Sequence, residues 1–203
     1  MKYIKSIPQE NEEVTKELTQ NQWKLLKEPS SLGVTIAVSM PISIILMFIT
    51  IFYFRLLFPE SMNFLNTDRF SITFSINLKC IFYVAGILLY TFLHEMIHAL
   101  TIPNVIRSNK TFWGINGCFG FVYSEEKIKK RRFILVSIMP LLVLTFVVAL
   151  VCRVFHFYHW YLLLLCVINA GGACVDIFNV ILIAKQVPAK GMIVNNGMRT
   201  LFK

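Results

Sequence analysis

The pentapeptide HEMIH, His94–His98, lies inside the apolar run GILLYTFLHEMIHALTIP, Gly86–Pro103. On a helix, residues four apart project about 40° from one another, so both imidazoles reach over one point. Glu95 stands on the flank of the same face. Histidine nitrogens are zinc ligands, and a carboxylate beside an open coordination position can serve as the base that activates water. The same residues would also serve as two interfacial histidines beside an ion-paired glutamate, without a metal.

Catalytic zinc takes three protein ligands. Glu125 and Glu126 sit beside the basic run KIKKRR, where solvated ion pairs are the plain reading. Asp176 is the sole Asp, Glu, Lys, Arg or His between Trp160 and Ala184. An unpaired aspartate in lipid costs about 3 kcal/mol, so it must face a partner. That partner is the metal, or else a helix-packing hydrogen bond to Asn179 or Tyr90. Asn169, seven residues before Asp176, lies nearly on the same helical face and could donate to a substrate carbonyl or oxyanion, or equally serve as an interhelical hydrogen-bond partner. Between them, Ala170-Gly171-Gly172-Ala173 removes bulk and allows close helix approach.

The elements that must position these residues are long and apolar. The chain has 203 residues, 56% of them hydrophobic, and a mean hydropathy of +0.64. Such a composition predicts a polytopic membrane protein. Four spans are predicted: 32–54, with Pro41 as a possible kink; 78–102, closed by Pro103; 133–152; and 160–184. Sixteen of the twenty Lys and Arg residues fall in the N-terminal segment, the loop between spans two and three, and the tail. Only Arg55, Arg69, Lys79 and Arg153 fall at the other ends. The bias predicts that both termini are cytoplasmic.

Under that orientation spans two and four run in the same direction. At 1.5 Å per residue, His94 and His98 lie roughly 24–30 Å below the start of span two, and Asp176 roughly 24 Å below the start of span four. The three side chains share one level, towards the inner face. His156, His159, Glu60 and Asp68 belong to the opposite face.

The formal charge of +9 admits nucleic-acid binding in principle. The cations flank membrane spans instead of decorating a polar domain with exposed aromatics, so no nucleic-acid partner is expected. Cys80, Cys118, Cys152, Cys166 and Cys174 include no CxxC pair, and a disulfide framework is not expected. The loop TFWGINGCFGFVY, Thr111–Tyr123, carries Asn116-Gly117, a type I′ turn signal between two short β-prone runs. It predicts a hairpin, either anchored at the interface by Trp113 and Phe119 or engaged with substrate.

HEMIH on one span and NAGGACVD on a later one resemble a bacterial family of zincin peptidases and, in reduced form, the site-2 protease architecture. The resemblance covers about residues 78–184. It implies that His94, His98 and Asp176 hold zinc and that Glu95 activates water. It also implies that Asn169 positions substrate, and that the segment containing Asn116 and Gly117 pairs with an unfolded substrate strand. The pattern departs from site-2 proteases in three places. No proline stands between Asn169 and Asp176, their spacing is one residue shorter, and Ile177 follows the aspartate.

The expectation is therefore an all-α membrane protein of four transmembrane helices, with a short β-hairpin-like loop between helices two and three. Residues 1–31 form a cytoplasmic segment of one or two short helices, 32–185 the metallopeptidase-like domain, and 186–203 a cytoplasmic tail. The expected activity is a zinc metalloprotease in the bacterial cell membrane acting on a membrane or membrane-proximal protein. The competing expectation is a non-catalytic metal-binding membrane protein that acts as a regulator or assembly partner. Composition and motif do not specify an oligomeric state.

Overall fold

A computed structural model of the chain describes residues 1–59, 77–105, 107–116 and 119–203. Glu60, Asp68, Arg69, Gly117 and Cys118 of the sequence reading lie outside the described residues. Four helical segments are long and apolar enough to cross a membrane: Leu32–Leu57, Lys79–Thr101, Lys130–Val154 and Trp160–Gln186. Each lies within a few residues of a predicted span.

Span one is the helix α2, Leu32–Leu57, which begins where the Ser31 side chain accepts from the Val34 amide. Span two is α3, Lys79–Thr101. It stops because Pro103 forces the preceding Ile102 out of helical geometry, to φ −69 and ψ 132. Spans three and four are not the continuous helices expected. Span three is α4, Lys130–Leu141, a π-helical turn at Leu142–Val147, and α5, Val148–Val154. Span four is α6, Trp160–Gly172, and α7, Cys174–Gln186, interrupted at Ala173.

Small residues decide how these helices meet. A Cβ on Gly171 would stand 3.2 Å from Ser43 Oγ and 3.3 Å from Met47 Sδ. The Ser43 hydroxyl donates to the Gly171 carbonyl at 3.0 Å. Gly171 thus seats span four against span one. Ala170 and Ala173 turn the other way, into a buried cluster with Leu141 of span three. Span two gains its own close approach at Gly86, where any side chain would collide with the Tyr161 hydroxyl.

The all-α expectation is corrected by two β-sheets. The first orders β1 (Lys2–Tyr3), β3 (Thr111–Asn116) and β4 (Phe119–Ser124). β1 runs parallel to β3, and β3 pairs antiparallel with β4. The hairpin was expected; its register differs by one residue. Asn116 is the last paired residue, opposite Phe119, so it belongs to the ladder and not to the centre of the turn.

The second sheet orders β2 (Lys24–Leu25), β7 (Arg199–Phe202), β6 (Met192–Asn196) and β5 (Ile128–Lys129), all antiparallel. Residues 192–202, within the segment read as a tail, therefore form a hairpin within a sheet. Residues 1–31 contain one helix, α1 (Glu12–Gln20), and two strands. Asn11 caps α1 by accepting from the Glu13 and Val14 amides. Its Leu18 joins Trp23, Val194 and Leu201 in a small core on this sheet.

Strand pairing joins the N-terminal segment, the loop between spans two and three, and the C-terminal segment. All three therefore lie at one end of the helical bundle. Tyr123 of β4 links the sheets: its hydroxyl accepts from the Gly197 amide at 2.7 Å and donates to Glu125 at 3.3 Å. Burial pushes the Tyr123 phenol up to about 12, so it stays protonated and keeps both bonds across the neutral range.

Candidate metal centre

α3 delivers three of the functional side chains from one helical face. The fourth comes from the first turn of α7, where Asp176 is the third residue. A carboxylate is favoured there because the amide dipoles of a helix start point towards it. The break at Ala173 creates that start in the middle of span four.

His94, His98 and Asp176 converge as the depth argument predicted. His94 Nε2 is 3.3 Å from Asp176 Oδ2, His98 Nε2 is 3.4 Å from the same oxygen, and the two Nε2 atoms are 3.2 Å apart. Among the described residues, this trio is the one group of three or more metal-ligand side chains that could hold an ion.

The other ring nitrogens are engaged. His94 Nδ1 lies 2.8 Å from Asn169 Oδ1, and His98 Nδ1 lies 2.9 Å from the Val136 carbonyl. Asn169's orientation is fixed independently, because its amide nitrogen reaches Thr145 Oγ1 at 2.9 Å and the Pro140 carbonyl at 3.3 Å. Its oxygen must then face His94. Both imidazoles consequently carry a proton on Nδ1, where each meets an acceptor, and the neutral form of each ring presents its lone pair at Nε2.

With both rings neutral, two lone pairs and a carboxylate oxygen face one another, the donor arrangement that a cation at its centre would satisfy. Tetrahedral zinc with ligand bonds near 2.0–2.1 Å separates its donors by about 3.3 Å. The observed separations match that value, and two imidazoles with one carboxylate form a known catalytic zinc donor set. The residues therefore fit zinc by donor type, tautomer and spacing.

Glu95 stands outside the trio, beside His94 in the wall of a cavity of about 440 Å³. Ile36, Met40 and Ser43 of span one line the same cavity, as do Asn169 and Gly120. β4 packs against α3 with Gly120 directly under the glutamate: a Cβ there would stand 3.0 Å from Glu95 Cγ. β4 has one strand neighbour, β3, so among the described residues no strand pairs with its other edge.

The remaining sequence candidates lie elsewhere. Glu126 accepts from Ser108 Oγ at 2.7 Å, and Glu125 from Tyr123. His159 caps α6 by accepting from the Tyr161 amide. Tyr90, weighed as a partner for Asp176, bonds the Leu144 carbonyl. The assignment of Asn169 to substrate meets a different geometry: its amide is committed on both sides to Pro140, Thr145 and His94, and it is 5% exposed. Sequence reasoning missed Thr145 and the Val136 carbonyl entirely. The one available signal was Pro140, which frees a carbonyl four residues before itself.

Four apolar spans with a partly buried two-histidine, one-carboxylate cluster fit a membrane protein with a zincin-type centre. The chain belongs to the family described as "Putative zincin peptidase", whose pattern matches residues 87–191 and so takes in His94, Glu95, His98, the hairpin and Asp176. No curated protein and no solved structure matches the chain.

Proposed function

We propose that this protein is a membrane-embedded zinc metalloprotease whose metal is held by His94, His98 and Asp176, with Glu95 as general base. The convergence of three metal-ligand side chains, each imidazole braced at its second nitrogen, carries the reading. When bound, zinc lowers the pKa of a coordinated water towards 7 and polarises the scissile carbonyl.

Glu95 takes the proton of the attacking water on its carboxylate and delivers it to the departing amine. His94 and His98 keep their Nδ1–H bonds throughout, so the centre does not rearrange during turnover. The apolar cavity between α2, α3 and α6 admits a hydrophobic segment from the side. A helical substrate must unwind there, because its amides are already hydrogen-bonded. The edge of β4 that no strand pairs supplies replacement hydrogen bonds to the extended strand and lays it across Glu95. The charge bias orients the two-sheet end, and with it the site, towards the cytoplasm.

Gly120 gives this arrangement a direct check. Gly120→Val drives bulk into the Glu95 side chain while leaving the three donors untouched. A misplacement of about 1 Å is worth about 10²-fold in rate, so kcat should fall by that order with zinc content unchanged. Unaltered turnover in that variant contradicts the position given to the base.

The whole proposal is tested on purified protein in lipid vesicles with a quenched-fluorescent library of apolar, unstructured peptides. Hydrolysis should stop on addition of 1,10-phenanthroline and return with stoichiometric zinc. Cleavage that survives the chelator, or purified protein that binds no zinc, ends the proposal.

A further inference from the structure

Span three gives the centre no ligand, yet its backbone carbonyls meet His98, Asn169 and Tyr90 around it. Pro140 has no N–H, so the carbonyl of Val136 loses its helical donor. That carbonyl is the one within 2.9 Å of His98 Nδ1. One turn on, the Pro140 carbonyl accepts from Asn169 at 3.3 Å, the residue whose oxygen holds His94. A second interruption follows. In the π-helical turn the Val148 amide donates to Val143, which leaves the Leu144 carbonyl to the Tyr90 hydroxyl.

Val136, Pro140 and Leu144 are spaced by four and form one stripe. Tyr90, His94 and His98 form the matching stripe on α3. A regular helix would present closed carbonyls there, and a buried carbonyl without a donor is costly. The two interruptions thus create open acceptors in register with the histidine-bearing face.

We infer that Pro140 is a positioning residue for the metal centre. By withholding an N–H from Val136 it reserves that carbonyl for His98 Nδ1, and so fixes Nε2 as the nitrogen that faces the cation. The inference rests on the zinc reading above.

The test uses the full chain in detergent micelles. Pro140→Ala returns a competing N–H to Val136 without adding bulk. Zinc affinity, measured by chelator competition, should weaken by about 10- to 100-fold, the usual loss when a ligand's outer partner is removed. The visible bands of the cobalt-loaded variant should shift. The metal-free melting temperature should hold or rise, because alanine replaces a helix breaker. Unchanged zinc affinity and cobalt spectra overturn the inference, as does a lower melting temperature with the cobalt spectrum intact.

Should the variant fail to fold, ¹⁵N-histidine NMR of the zinc-loaded wild type decides. A slowly exchanging Nδ1–H on His98 supports the inference; zinc bound through Nδ1, or an Nδ1–H that exchanges freely, overturns it. Wild-type protein that binds no zinc instead ends the metal reading itself, which separates the two failures.

Discussion

Glu95→Gln should abolish peptide hydrolysis and leave zinc in place. The substitution conserves volume, so the cavity wall and the contact with Gly120 persist. It removes the one property the mechanism requires, a carboxylate able to take a proton. Loss of a positioned general base lowers rates by on the order of 10²–10⁴. Metal content should not change, because Glu95 is not among the three converging donors. Zinc stoichiometry by elemental analysis beside turnover of the peptide library checks both halves. Wild-type turnover in the glutamine variant refutes the assignment. Zinc in both proteins with hydrolysis in neither would favour a purely metal-binding role.

Asp176→Ala should empty the centre, and His98→Ala should do the same. Removing the carboxylate leaves two imidazoles and takes away the one anionic donor, which lies 3.3 and 3.4 Å from the two ring nitrogens. Loss of an outer partner costs metal sites about 10- to 100-fold, and loss of a direct ligand should exceed 100-fold. Zinc should therefore fall below stoichiometry after dialysis in both variants. A protein carrying Asp176→Ala that retains full zinc would remove the aspartate from the ligand set while leaving the histidines in it.

The centre was legible in the sequence because each part left a local mark. HEMIH fixes two imidazoles on one helical face, and a lone aspartate in an apolar span is too costly to stand unpartnered. Charge bias then set both at one depth. The spans were legible from length and hydropathy alone.

The sheets were not, and the reason is physical. β1, β2 and β5 are two residues each, too short for alternation to register, and their stability comes from partners far away in the chain, such as Lys24 opposite Phe202. The β6–β7 hairpin did carry a signal, Asn196-Gly197 with Gly197 at φ +60, of the same kind that located the β3–β4 turn. Asn169 was visible as a polar residue near the aspartate. Its partner depended on the break at Ala173 and on Thr145, which no spacing rule discloses.

The braces on the two imidazoles are protein groups: an asparagine side chain and a backbone carbonyl. The ring orientations thus belong to the fold itself. Zinc-finger peptides, in contrast, acquire their structure only with the ion. If the centre binds zinc as proposed, a chain braced in this way would finish folding before it captures its ion. Biogenesis and activation would then be separate events, with cellular zinc supply governing how many of the assembled molecules are competent, not how many assemble.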